Sequence, residues 1–259
     1  MSQKLKDRID SYQETSDFKL LNKLPLIISI NGRSFTKTTS IIDKPYCTKF
    51  AESMLSATLK LCLEIEGSVF SYQHNDEIVI VAKNDQSIET ESWYDNKIQK
   101  ICSVASSIAT SAFKTHASQL NLNIVGEPIF TTQVFTVPNL SEAINTLIYK
   151  QQQNFYTSAQ FACYYELSKK HDRENIKDML SGLTIDEKIG LLHQECNIDF
   201  NEYPLSFRRG IACYKIPKIL DGGVMKNKWS INAELPIFAK NQTFLENILK
   251  VGHDLFRGE

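Results

Sequence analysis

The chain has 259 residues, 42% apolar, 23% charged and 10% aromatic, enough for one large domain, or a domain with an appendage, around a sizeable core. Ten glycines and seven prolines are too few for a fibrous or low-complexity chain, and the apolar content excludes a disordered one. Lys plus Arg total 29 against 30 for Asp plus Glu, a formal net charge of -1, so any contact with nucleic acid must come from a local patch or from patches summed over an oligomer.

The opening segment MSQKLKDRIDSYQE is polar and lacks a signal-peptide apolar region, and no later apolar stretch approaches the roughly eighteen residues of a membrane span. A cytoplasmic protein with no membrane partner is expected. Leu24 to Ile30 is a short β-branched apolar run ending in Asn31-Gly32, which reads as a buried strand entering a turn. After the break at Lys44-Pro45, the segment from Cys47 to Glu66 carries Phe50, Met54, Ala57, Leu61 and Ile65 at helical spacing, with Gly67 as the stop. Val69 to Gln73 and Ile78 to Ala82 read as strands of a hairpin joined by His74-Asn75-Asp76-Glu77. Trp93 to His116 is predicted helical, and its Ser/Ala-rich middle permits close packing against a sheet. Ile129 to Val137 returns to strand character.

The order strand, helix, hairpin, helix, strand predicts an α+β palm, an antiparallel sheet with helices on one face. Beyond it the chain is mostly helical to about Gln194, with Thr184 and Glu187 forming a capping box. A strand pair follows at Gly210 to Ile216 and Lys228 to Ala233, around Asp221-Gly222-Gly223, and then a last helix from Gln242 to Leu255. The expected organisation is a core at 1–140 and a helical and β-hairpin extension at 141–259, packed as one domain.

The six cysteines, at 47, 62, 102, 163, 196 and 213, include no C-x-x-C pair, and the histidines have no ligand spacing, which argues against structural zinc and a disulfide framework. Two segments hold candidate chemistry: Asn31-Gly32-Arg33 after the first strand and Asp76-Glu77 at the hairpin. In a palm these are neighbours, and two carboxylates there suit a divalent metal that also meets substrate phosphates. On the residues alone, an acidic pair in a turn is most often a solvated tip and N-G simply a turn; Lys37, Lys44, Arg208 and Arg209 are by default surface cations.

Several ordered segments nevertheless resemble one family. KDRIDSY at Lys6 to Tyr12, IISINGRSF at Ile27 to Phe35, SYQHNDEI at Ser71 to Ile78 and the stretch from Trp93 to Phe113 are similar to the tRNA-His guanylyltransferases and their bacterial and archaeal relatives, the 3′–5′ RNA polymerases. So are FTTQVFTVP at Phe130 to Pro138, YKQQQ at Tyr149 to Gln153 and NEYP at Asn201 to Pro204. The resemblance implies a polymerase-like palm with two Mg²⁺ ions and GTP or ATP as substrate. It also implies a reaction in which a tRNA 5′-phosphate is activated and then attacked by the 3′-hydroxyl of an incoming nucleotide.

Carried onto this sequence, the resemblance makes Asp76 and Glu77 the catalytic acids and Asp76, Gly32 and Asn31 the metal site. Gly32, Arg33, Ser34, Phe35, Thr36, Lys44 and Asn75 become the nucleotide-binding set. Lys150, Lys169, Lys170, Arg208 and Arg209 are the expected RNA contacts, joined by Arg173, in a homo-oligomer, dimer or tetramer. The departures are specific. Asn31 stands where the family has a metal-ligating aspartate, Thr36 replaces a histidine, and Asn75 a serine. Thr131 and Gln133 replace Asp and Arg of an F-D-x-R strand; Lys150 and Gln153 replace Arg and Asp of W-R-Q-x-D. The readings are therefore an RNA 5′-end nucleotidyltransferase, a catalytically impaired relative that binds nucleotide or RNA, or a palm performing other phosphoryl chemistry such as nucleotide cyclisation.

Overall fold

The computed structural model describes residues 3–85, 89–219 and 225–254. Helix α1 (Gln3–Glu14) buries none of its residues. Strand β1 (Leu26–Gly32) then runs as an inner strand of the sheet, between β4 and β3, with its first five residues buried. A continuous apolar strand means that both faces are covered: Ile28 and Ile30 belong to one cluster, Ile27 to another. A short helix, α2 (Phe35–Thr38), leads to α3 (Thr48–Glu64), and the hairpin strands β2 (Ser68–His74) and β3 (Glu77–Ala82) follow.

Helix α4 (Ile98–Gln119) and strand β4 (Phe130–Thr136) complete the first part. Next come α5 (Leu140–Leu167), α6 (Arg173–Leu180), α7 (Ile185–Cys196) and α8 (Leu205–Arg209). Strands β5 (Ile211–Ile219) and β6 (Met225–Asn232) and helix α9 (Gln242–Asp254) follow. The sheet has six strands in the order β4-β1-β3-β2-β5-β6, every neighbouring pair antiparallel.

As expected of a palm, α3 and α4 share one face, where Met54, Leu61, Ala105 and Ala109 pack on Ile28, Ile30, Ile78 and Ile80. The extension covers the other face: Ala143 and Leu147 of α5 and Leu245 and Leu249 of α9 lie on Ile27, Val79 and Val81. Its hairpin also lengthens the sheet, β5 pairing with β2. At 28 residues, α5 is about 42 Å long. Its far half leaves the sheet and builds a third cluster, with Ala159, Cys163 and Leu167 against Leu180, Leu192, Phe200 and Phe207. The capping box of Thr184 and Glu187 opens α7. Among the described residues no helix is long and apolar enough to cross a membrane.

Two local expectations change. Asn31-Gly32 is not a turn: Asn31 pairs with Glu77 on β3 and Thr131 on β4, and Gly32 with Phe130, so β4 extends β1 by two residues and β3 by one. The chain turns one step later, at Ser34, whose φ is 58°. Nor does the central helix begin at Trp93; Trp93–Asn96 is a 3₁₀ turn with Tyr94 and Asp95 in left-handed conformations. Tertiary bonds override helical propensity there, since the buried Asn96 amide donates to Leu21 O at 3.1 Å and Asn22 Oδ1 at 2.8 Å. The expected Asp221-Gly222-Gly223 bend and Leu255 lie outside the described residues.

Candidate active site

The hairpin closes on a two-residue turn, Asn75-Asp76, with Asn75 at φ 47°; asparagine tolerates that left-handed conformation because its short amide bonds locally. Beside it, the Gly32 N–H donates to the Asp76 carbonyl at 2.9 Å, and the Arg33 N–H to Ile129 O at 2.7 Å. The end of β1 and the acidic bend therefore touch. Gly32 is needed for the close approach that follows, because a Cβ there would lie 2.4 Å from the Phe35 ring. Phe35 itself is locked among Phe50, Phe113 and Phe130, at centroid distances of 6.1, 5.6 and 4.9 Å.

Above this junction lies a cavity of about 160 Å³. Its apolar walls come from Phe35, Tyr46, Phe50, Phe161 and Phe207, and its polar groups include Lys44, Asp76, Asn75 and Thr36. Aromatic walls with a few convergent polar groups are the usual make-up of a small-ligand site. The Lys44 ammonium donates to Thr39 Oγ1 at 3.0 Å and stands 5.8 and 5.7 Å from the ring centroids of Phe161 and Tyr165, within cation–π range. Burial lowers the Lys44 pKa, with Cys47 and Asp76 pulling the other way. Burial likewise raises the Asp76 carboxyl above its ordinary value, against its own backbone hydrogen bond and the nearby Lys44. Each charged group is thus partly desolvated and opposite in sign to the other, an arrangement that a charged ligand can exploit.

The two acids have different surroundings. Asp76 lines the cavity, whereas Glu77 lies against α5, where its Oε1 accepts from Lys150 Nζ at 2.5 Å and its Oε2 from Asn154 Nδ2 at 3.3 Å. Lys150, expected as an RNA contact, is therefore turned inward to an ion pair. Four of the other expected RNA cations also have partners in the chain. Lys169 pairs with Glu166, Lys170 donates to Glu195 O, and Arg209 to Leu235 O. Arg208 donates to Tyr203 O and Asn201 Oδ1. Lys169 and Arg208 share a neighbourhood through the Tyr203–Glu166 hydrogen bond; Lys150 belongs to the hairpin instead. Arg33, Ser34, Thr36 and Lys37 are exposed at the opposite rim, and among the described residues the Arg33 and Lys37 side chains have no hydrogen-bond or ion-pair partner.

The back of the cavity, Thr157, Phe161 and Phe207, escaped the sequence reading; the only available signal was the helical spacing of Thr157, Phe161 and Tyr165 on α5. His74 was missed as well. Its Nε2 is 2.7 Å from both Ser158 Oγ and Phe207 O, so it ties the hairpin to α5 and α8. Burial pushes its pKa down to about 4, leaving a neutral ring with Nδ1 unpartnered.

For a divalent ion the residues offer a short donor set. Among the described residues no group of three or more His, Cys, Asp or Glu converges. Asp76 gives one carboxylate, the Gly32 carbonyl is adjacent, and the Asn31 Nδ2 is turned to Ser29 Oγ at 3.3 Å, leaving the amide oxygen as its remaining polar end. Magnesium commonly takes one or two carboxylates and completes its shell with phosphate and water. These residues fit one such ion arriving with a triphosphate, and Asp43 adds a second carboxylate to the cavity wall.

Residues 6–138 match the sequence family described as Thg1, tRNAHis guanylyltransferase. The probable tRNA(His) guanylyltransferase of Dictyostelium discoideum is 26% identical over 206 residues, covering 76% of this chain and 78% of that protein. A bacterial tRNA(His) guanylyltransferase (Thg1)-like protein in complex with ATP superposes with a TM-score of 0.82 at 25% identity, over 94% of this chain and 98% of the other. The structure of a bacterial Thg1-like protein in complex with GTP gives a TM-score of 0.75 at 24% identity, over 95% and 99%. With a match across half of its length and this fold throughout, the chain belongs to the Thg1 tRNAHis guanylyltransferase family.

Proposed function

We propose that this chain is a nucleotidyltransferase acting at the 5′ end of tRNA or a related RNA, with ATP or GTP as activating substrate. In the first step an RNA 5′-phosphate oxygen attacks the α-phosphorus of the triphosphate and pyrophosphate leaves. In the second, the 3′-hydroxyl of an incoming nucleotide attacks the activated 5′-phosphorus, and the nucleoside monophosphate departs as the hydroxyl loses its proton. The observation that supports this best is the Gly32–Asp76 hydrogen bond beneath the cavity that holds Lys44.

Asp76, the Gly32 carbonyl and the Asn31 amide oxygen would hold one magnesium ion; bound there, it supplies Lewis acidity and charge neutralisation. Lys44 contributes a fixed ammonium to the triphosphate, strengthened by its partly desolvated position. Ser34, Phe35 and the Arg33 backbone shape the turn against which the nucleotide lies, and the surrounding rings exclude water. Arg33 and Lys37 are free to meet the RNA 5′-phosphate. A homo-oligomer, dimer or tetramer, would bring further cations such as Lys169, Lys170, Arg208 and Arg209 along one RNA.

The test is to incubate purified protein with Mg²⁺, labelled ATP or GTP, and tRNA with a 5′-monophosphate. Label on the RNA is expected; no transfer, with an active relative alongside, removes the enzyme reading. Neutral Asn31 and the Glu77–Lys150 pair favour one second reading, a relative that binds nucleotide without transferring it. In that case a nucleotide raises the Tm while no label moves.

A further inference from the structure

Gln73 is the penultimate residue of β2, paired with Ile78 on β3 and Ile211 on β5. Strand alternation sends its side chain to the face opposite that of His74, and there it lines the cavity beside Phe50, Ala51 and Ile211. The residue is 3% exposed. Its amide orientation is fixed by the turn: Nε2 donates to Asn75 O at 3.1 Å, which leaves Oε1, an acceptor only, as the other end. Among the described residues Oε1 has no hydrogen-bond partner. A buried acceptor without a donor costs free energy, and no side chain or backbone group of the described residues offsets that cost.

The chemistry of that atom selects what can meet it. A phosphate oxygen is itself an acceptor and is excluded, so the triphosphate belongs with Lys44 and Asp76, and the partner of Oε1 must carry an N–H or O–H. The walls narrow the choice. Tyr46, Phe50, Phe161 and Phe207 offer rings on which a flat heteroaromatic base stacks and a sugar does not. We infer that Gln73 is a specificity-determining residue: its amide oxygen accepts from the exocyclic amino group of the nucleotide's base, so that the chain prefers triphosphates of amino-bearing purines. The terminal amide turns about a soft sp³–sp² torsion, which lets Oε1 settle on the donor. A base without the amino group leaves the acceptor buried and unpaired, the situation in which a polar site discriminates most strongly. The inference rests on the nucleotide reading proposed above and deepens it.

Calorimetric titration of the full chain with Mg²⁺ and matched triphosphates tests it: ATP against purine riboside triphosphate, and GTP against ITP, each pair differing by the amino group alone. The wild type is expected to bind the amino-bearing member of at least one pair at least about 10-fold more tightly. Gln73→Met, close in volume but without the amide, is expected to bring both pairs to within about 2-fold. Without nucleotide its Tm should stay within about 3 °C of the wild type, since the substitution removes an unpaired acceptor. Equal affinities within both wild-type pairs, a preference that survives in the variant, or a loss confined to 2′-deoxy or 3′-deoxy ATP overturns the inference. A larger fall in Tm marks Gln73 as structural and overturns it as well, unless the wild-type pairs already differ; if the variant does not fold, those pairs decide alone. If no triphosphate binds the wild type, the nucleotide reading falls and takes this inference with it; binding without discrimination removes this inference only.

Discussion

Asp76 lines the cavity together with Asp43, and burial already holds the Asp76 carboxyl back from ionising. A magnesium ion would offset that cost, so metal and triphosphate should bind cooperatively through this residue. Asp76→Asn is expected to weaken Mg²⁺-dependent nucleotide binding by at least about 10-fold with little loss of stability, measured by calorimetric titration. His74 makes a separate prediction, in the nucleotide-free protein. Its folded pKa, about 4, lies below the ordinary value of 6.5, so the native state binds fewer protons than the unfolded one. The stability it contributes is complete above pH 6.5 and is lost as pH falls from there toward 4. Urea unfolding at pH 7.5 and pH 5 should show the wild type losing about 1–2 kcal/mol more than His74→Gln, which has no such titration; equal losses would contradict the assignment.

At the scale of elements, the junction between α8 and β5 controls how the extension's hairpin meets the sheet. Gly210 has φ 82°, and a Cβ there would lie 2.5 Å from the Tyr72 ring and 2.8 Å from Gln73 O. Gly210→Ala should therefore cost about 2–3 kcal/mol, read as a Tm drop of at least about 5 °C. Most elements were legible from local pattern. The helical stripe of Met54, Ala57 and Leu61, the two apolar runs around Asn75-Asp76 and the box at Thr184 each carry their instruction within a few residues. What misled was non-local. Asn31-Gly32 has turn chemistry, but β3 and β4 hold it as strand from both sides. Trp93–Asn96 fits the helical pattern, but hydrogen bonds to residues 21 and 22 decide its shape.

Over the whole molecule, the site combines distant pieces. Its front, Phe35 to Lys44 and the hairpin tip, came within reach of the sequence through the family resemblance together with the expected adjacency of palm strands; the residues alone read as a turn and a solvated tip. Its back did not, since the approach of α5 and α8 depends on a third cluster built far along the chain. The Glu77–Lys150 pair spans 73 residues, and nothing in either segment announces the other. Helix α1 leaves Leu5, Ile9 and Tyr12 at 38%, 41% and 64% exposure, at helical spacing and with no residue buried. A patterned apolar stripe of that kind is what an assembly would cover, so light scattering should give a mass above the 29.6 kDa monomer, and Leu5→Asp with Ile9→Asp should shift it toward the monomer.

The central claim is that the cavity over the Gly32–Asp76 junction holds a magnesium-bound triphosphate. Calorimetric titration of ATP and of GTP into the protein, with and without Mg²⁺ and alongside Asp76→Asn and Lys44→Met, tests it most directly. Saturable binding that requires Mg²⁺ and is weakened by both substitutions is the predicted result; no binding, or binding indifferent to Asp76 and Lys44, would contradict it.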